Sequence, residues 1–310
     1  MNLFAITILL LRWDINMSKI IEVNDLRKNY ANFQLHDISF SLEKGCIMGF
    51  IGENGSGKTT TIKLLLNVID KLKGEIKIFG MDHIQGEVEI KHKIGYVPAD
   101  DYFTATATLA DHAKAMKPFY QTWDDAFFET IVETWNLPLK QKISEFSKGM
   151  KTKAMLALAL AHRPSLLILD EPTAGLDPVA RIEVLDILRE FVADGEKAVF
   201  FSTHITSDLD KVADYITLIH KGNIIESMPL DQIEEKYALV DAGINEISIN
   251  ENEFIGIRKG NLRFEGLIIR EKAVKYFDIS HIKTPNIENL LTFTIWGDQH
   301  AKSHSIIKSL

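Results

Sequence analysis

The strongest chemical signal in this sequence is the run Gly52-Glu53-Asn54-Gly55-Ser56-Gly57-Lys58-Thr59. It fits the spacing Gly, four residues, Gly-Lys-Thr, and it lies between an apolar run, Cys46–Ile51, and a segment with helical character, Lys58–Leu66. Each residue type has a physical use there. Glycine lets the backbone curl until its N–H groups face phosphate oxygens. A following helix offers the positive end of its dipole to the same anion. Lys58 brings a cation to terminal phosphates, and the Thr59 hydroxyl can ligate Mg²⁺. Thr60 adjoins the cradle. By itself the motif specifies a nucleotide binder, a description shared by kinases, GTPases and motors.

A second constellation is Leu166-Leu167-Ile168-Leu169-Asp170-Glu171, an apolar strand that ends in two acids. Asp170 at the end of a buried strand can hold Mg²⁺, and Glu171 is then placed to take a proton from water. Upstream lies Phe146-Ser147-Lys148-Gly149-Met150, with a long helical segment (Lys151–His162) leading from it toward Asp170. A serine hydroxyl, a glycine N–H and a helix N-terminus make another phosphate grip. One chain does not need two grips on one phosphate; two chains arranged head to tail do. Gly175-Leu176-Asp177-Pro178 reads as a turn, and Phe201-Ser202-Thr203-His204 closes a strand. An imidazole at a strand's carboxyl end lies beside the ligand crevice of an open α/β sheet, so His204 is the histidine to which a catalytic role is assigned.

These groups need elements to position them. Ile20–Leu26, Gln34–Phe40, Cys46–Ile51, Ser165–Leu169, Ala198–Ser202 and Tyr215–His220 read as strands, alternating with helical patterns, which predicts an α/β core with parallel strands. The stretch 99–161 is rich in Ala and aromatic residues at helical spacing and reads as an all-helical insertion. Beyond residue 222 the pattern changes: a helix at Asp231–Tyr237, a hairpin turning at Lys259-Gly260-Asn261, and a last helix from Ile287 to Trp296. The reading is therefore a main domain over 17–222, with a small α+β accessory domain over 223–310.

Composition limits the alternatives. With 46% hydrophobic and 25% charged residues among 310, the chain is an ordinary globular protein rather than a disordered one. A net charge of -8 argues against a nucleic-acid partner. The single cysteine, Cys46, cannot form an internal disulfide, fits a reducing cytosol and reads as core. The apolar run Leu3–Leu11 is too short to span a bilayer and lacks the flanks of a signal peptide. Met17 opens a normal domain start, so residues 1–16 read as an upstream extension that need not be native; a membrane-surface anchor is the alternative.

Taken in this order, the motifs resemble the ATP-binding subunits of ABC transporters over roughly Ile20 to Gly222. The resemblance implies a P-loop NTPase cassette, with a RecA-like core and a helical subdomain. Gly52–Thr59 matches the Walker A motif and Asp170 the Walker B acid. Glu171 matches the catalytic glutamate, and Phe146–Met150 the signature segment. Gly175–Pro178 matches the D-loop, with Asp177 as its acid, and His204 the switch histidine. Tyr30 sits where the family places an adenine-stacking ring. The implied cofactors are ATP and Mg²⁺. Ser147, Gly149 and Asp177 would reach the nucleotide of a second ATPase subunit, and a membrane-spanning permease would complete the assembly at the cytoplasmic face of the membrane. Tyr102–Tyr120 is the expected permease docking surface.

Two departures stand out. The signature carries Lys148 and Met150 where the pattern has Gly and Gln. After Ile94-Gly95-Tyr96-Val97-Pro98 the family has Gln, and this chain has Ala99 followed by Asp100 and Asp101. Either Asp100 takes over the metal contact through water or the contact is missing. The Ser-Lys-Gly-Met signature looks like the drug and peptide exporter branch, and the C-terminal segments Phe264–Leu267 and Thr284–Leu290 resemble extensions of ABC-2-type ATPases. The long coiled coils of DNA-repair relatives and the doubled cassette of translation factors have no counterpart here.

Overall fold

The computed structural model describes residues 19–295 and 297. The expectations for residues 1–16 and for Trp296 lie outside them. Its centre is a sheet ordered β10-β9-β3-β8-β7-β6, built from β3 (Ile47–Ile51), β6 (Ile94–Val97), β7 (Leu166–Asp170), β8 (Ala198–Thr203), β9 (Tyr215–His220) and β10 (Asn223–Pro229). The pairs β3/β8, β3/β9, β7/β8 and β6/β7 are parallel, while β10 adds an antiparallel edge.

Alternation of side chains explains why the parallel strands are apolar throughout. Ile47, Ile51, Leu167, Leu169, Val199 and Phe201 enter one core, and Met48, Phe50, Leu166, Ile168, Ala198 and Phe200 the other. A strand buried on both faces needs apolar residues at every position.

A second sheet, ordered β2-β1-β4-β5, covers the second core. It comprises β1 (Lys19–Asn29), β2 (Gln34–Glu43), β4 (Lys73–Ile78) and β5 (Met81–Asp82). All its pairings are antiparallel, so β1 and β2 do not join the parallel sheet that the strand-helix alternation suggests. The two sheets meet through Phe40, Phe50 and Phe200, with ring centroids 5.1 to 5.7 Å apart. Fully burying one such ring stabilises the fold by roughly 1.5–3 kcal/mol.

Helix α1 (Lys58–Leu65) lies in that same core through Ile62, Leu64 and Leu65, and α2 (Glu87–His92) adds Ile90. On the opposite face sit α3 (Leu109–Met116), α4 (Asp125–Thr134), α5 (Lys148–Leu160), α6 (Pro178–Val192) and α7 (Thr206–Val212). Between residues 99 and 161 the only regular elements are helical, α3 to α5 with two short 3₁₀ turns. Helix α5 starts at Lys148 rather than Lys151, because the Ser147 hydroxyl accepts from Met150 N at 3.2 Å and caps the helix there. It stops at Leu160, short of Pro164, which cannot continue it.

Past Gly222 the main sheet runs on to Pro229 as β10. Then come α8 (Gln232–Lys236), β11 (Tyr237–Gly243), β12 (Gly256–Lys259), β13 (Arg263–Ile269), α9 (Arg270–Tyr276) and β14 (Ile282–Lys283). The last four strands form an antiparallel sheet ordered β12-β13-β11-β14. The hairpin expected at Lys259-Gly260-Asn261 is present, with Gly260 N donating to Arg263 O at 2.8 Å. Residues 287–295 are helical, and Ile287, Leu290 and Phe293 join the core of the main sheet.

Candidate active site

Strands β3, β8 and β7 are adjacent and parallel, so the loops after their carboxyl ends converge. The first carries Gly52–Thr59, the second His204 and the third Asp170 with Glu171.

The loop after β3 is shaped by close approaches. A side chain at Gly52 would lie 2.3 Å from Ile219 O, and one at Gly57, whose φ is +119°, would lie 2.6 Å from Leu35. Gly55 has φ +79° and open space above it. Helix α1 has no side-chain cap and no acid in its first turn. Its leading N–H groups lack intrahelical partners by construction and remain available to an anion. Lys58 folds back over the loop, with Nζ donating to Gly52 O at 2.8 Å and Glu53 O at 3.3 Å. The end of β9 and the turn after it hold the cradle in place: His220 pairs with Glu53 at 3.0 Å and Gly222 N donates to Ser56 O at 2.9 Å.

The acids are held by name. Asp170 is buried; Thr59 Oγ1 donates to its Oδ2 at 2.8 Å and Ser202 Oγ to its Oδ1 at 2.5 Å. Glu171 has φ +51°, a conformation that costs a non-glycine residue on the order of 1 kcal/mol and is common at working sites. Its N–H donates to Ser202 O at 2.9 Å, which fixes the turn. Its Oε1 lies 3.2 Å from Lys58 Nζ, and its Oε2 lies 2.7 Å from His204 Nδ1 and accepts from His204 N at 3.3 Å. Buried Glu171 Oε1 has an ionic neighbour but no hydrogen bond, and Ser56 Oγ is likewise buried without one. The orphaned Ser56 hydroxyl, a donor beside an uncapped helix, fits a phosphate-bearing ligand, whereas Glu171 Oε1, an acceptor, fits a water or another donor. Thr59 and Asp170 form a pair of hard oxygen donors of the kind Mg²⁺ takes when phosphates complete its shell. Among the described residues no three His, Cys, Asp or Glu side chains form a metal cage.

Tyr30 and Gly55 line one open cleft of about 450 Å³ together with Phe33, His36 and Lys221. Tyr30 is 45% exposed, and Lys28 Nζ stands 5.5 Å from its ring centre.

The remaining expected residues sit elsewhere. No hydrogen bond or ion pair among the described residues joins Ser147 or Gly149 to the loop after β3. Gly149 is buried, and a side chain there would meet Ala180 Cβ at 2.8 Å, so it also sets the approach of α5 to α6. Asp177 caps α6, accepting from Val179 N and Ala180 N at 3.0 Å; these bonds hold its carboxyl below the usual range. Ala99 and Asp100 are exposed. Their neighbour Asp101 pairs with Lys151 of α5 at 3.0 Å.

Three contacts escaped the sequence reading: Ser202 on Asp170, Lys58 on Glu171, and His220 on Glu53. Only the first had a local signal, a serine two residues before His204 at a strand end.

This site belongs to a nucleotide hydrolase of the P-loop class, and comparison with known proteins fixes the family. The ABC transporter family matches over residues 35–174. The bacitracin transport ATP-binding protein BcrA of Bacillus licheniformis is 34% identical over 223 residues, 71% of this chain and 73% of the relative. YtrB, an ABC transporter ATP-binding protein of Bacillus subtilis, is 29% identical over 276 residues, covering 87% and 94%. A solved ATP binding subunit of an ABC transporter superposes with a TM-score of 0.64 at 30% identity, over 70% of this chain and 92% of that one. The chain belongs to the ABC transporter family as an ATP-binding subunit, and ATP hydrolysis is its activity. A membrane permease is the partner such subunits imply. No helix among the described residues is long and apolar enough to cross a membrane.

Proposed function

We propose that this chain is the ATPase of an ABC-2-type exporter, held at the cytoplasmic face of the membrane by a separate permease and working as half of a head-to-tail dimer. Its cargo class is peptide, antibiotic or lipid; the bacitracin transport relatives support the antibiotic or peptide end of that range.

The observation that carries the reading is the convergence of Lys58, Asp170, Glu171 and His204 at the ends of three neighbouring strands. In this reading Gly52, Glu53, Asn54, Gly55, Ser56, Gly57 and Thr60 surround the phosphates, and Tyr30 stacks on adenine across the cleft it shares with Gly55. Thr59 and Asp170 hold Mg²⁺, which when bound supplies positive charge to the phosphate oxygens. Asp100, exposed beside Ala99, is the candidate for a water-mediated share in that contact. Glu171 accepts the proton of the attacking water, and His204 orients Glu171 and stabilises charge on the transferred phosphoryl group. Ser147, Gly149 and Asp177 serve the nucleotide of the opposing chain, a reading supported by the lack of any hydrogen bond or ion pair, among the described residues, between Ser147 or Gly149 and this chain's own cradle. Tyr102 and Phe119, exposed on the helical segment at 43% and 74%, support a permease contact there.

Glu171→Gln tests the chemistry. The variant keeps ATP binding and loses about 10²–10⁴-fold in turnover, the usual range for a positioned general base. Turnover close to that of the parent chain would remove Glu171 from this role.

A further inference from the structure

Helix α5 begins with a concentration of positive charge in an unfavourable place. Lys148, Lys151 and Lys153 lie in its first two turns, at the positive end of the helix dipole, with no acid in the first turn. Two of the three are compensated inside the chain. Lys151 pairs with Asp101 at 3.0 Å and Lys153 with Glu183 at 3.0 Å. Lys148 is exposed and makes no ion pair among the described residues. Its ammonium lies against Gly175, where a side chain would come within 2.7 Å of Nζ. Gly175, at φ +69°, precedes Asp177 by two residues, so Lys148 rests on the very turn assigned to the opposing chain's nucleotide.

Among the described residues the other α-helix that opens with lysine and has no first-turn acid is α1, whose Lys58 is the phosphate-loop cation. Lys148 also stands between Ser147 and Gly149, the residues already proposed to meet the partner's triphosphate, at a position where the family pattern has glycine. We infer that Lys148 is an additional binding residue: it supplies a cation to the terminal phosphates of the ATP held by the opposing chain. A lysine ammonium, a compact charge with three donors, suits phosphate oxygens. This assignment rests on the head-to-tail reading, and it is separable from it by experiment.

The measurement is the ATP concentration for half-maximal association of the full chain in a Glu171→Gln background, by light scattering at several salt concentrations. Lys148→Ala raises that concentration about tenfold, the loss expected for one charge-assisted hydrogen bond. Lys148→Glu raises it further, and Lys148→Arg restores most of the loss. The alanine variant also shows a shallower dependence on salt, which a purely structural role would not produce. Equal midpoints and equal salt slopes in the lysine, alanine and glutamate proteins, with the parent associating normally, would overturn the lysine assignment alone. Failure of the Glu171→Gln parent to associate with ATP would overturn both readings.

Discussion

Lys58 Nζ and Glu171 Oε1 stand 3.2 Å apart, and both side chains are largely buried. The cation of the phosphate loop therefore neutralises the acid proposed to activate water. A triphosphate arriving at the loop offers Lys58 a stronger anionic partner and competes with Glu171 for it. In the proposed reading, nucleotide binding and release of the acid would be parts of one exchange of ion pairs.

That relationship gives the first prediction. Lys58→Ala removes the cation from the cradle and leaves a buried carboxylate with only His204 beside it. Breaking one side of a buried pair costs about 3–5 kcal/mol when the remaining charge stays in place. Binding of a fluorescent ATP analogue falls below detection in this variant, and its unfolding midpoint in denaturant drops. A variant that binds ATP like the parent would show that Lys58 is not the phosphate cation.

The seat of Asp170 gives the second. Ser202 Oγ holds one carboxylate oxygen at 2.5 Å and leaves the other to Thr59. Ser202→Ala frees Asp170 to rotate without altering the metal donors themselves. The Mg²⁺ concentration for half-maximal ATPase rises roughly tenfold or more, the usual effect of losing an outer-shell partner. An unchanged Mg²⁺ titration would separate Asp170 from metal binding.

A third prediction concerns pH and stability. His162 is buried, stacks on Tyr120 at 4.0 Å, and donates through Nε2 to Ile94 O at 3.1 Å, while Nδ1 is buried without a hydrogen bond. Burial pushes its pKa down to about 4 from 6.5. The unfolded chain therefore takes up this proton first as pH falls. Its contribution is fully present above about pH 6.5 and is lost progressively toward pH 4, on the order of 3 kcal/mol in all. Buried His83, whose pKa burial also lowers, adds in the same direction. Denaturant midpoints at pH 7.5 and pH 5 differ for the parent chain, and His162→Gln narrows the difference.

How much of this was legible beforehand follows from the range of each signal. The cradle, the Asp170-Glu171 pair and the strand before His204 are local patterns with strict residue demands, and each lies at the carboxyl end of a strand. Strands β4 and β6 are among those with faint sequence signals. The first interleaves Lys73, Glu75 and Lys77 with its apolar positions, and the second is only four residues with Gly95 inside. The antiparallel placement of β1 and β2 depends on pairing partners that strand propensity does not encode. Ion pairs such as Lys58 with Glu171 join residues far apart in the chain, and only the fold brings them together.

The account stands on a nucleotide shared between two copies or close relatives of this chain. Sedimentation of purified Glu171→Gln protein with ATP and Mg²⁺, compared with ADP and Mg²⁺, measures it directly. A shift to twice the monomer mass with ATP, reversed by Ser147→Arg, is the predicted result. A monomer in ATP at concentrations that saturate the binding site, with or without the permease, would contradict the account.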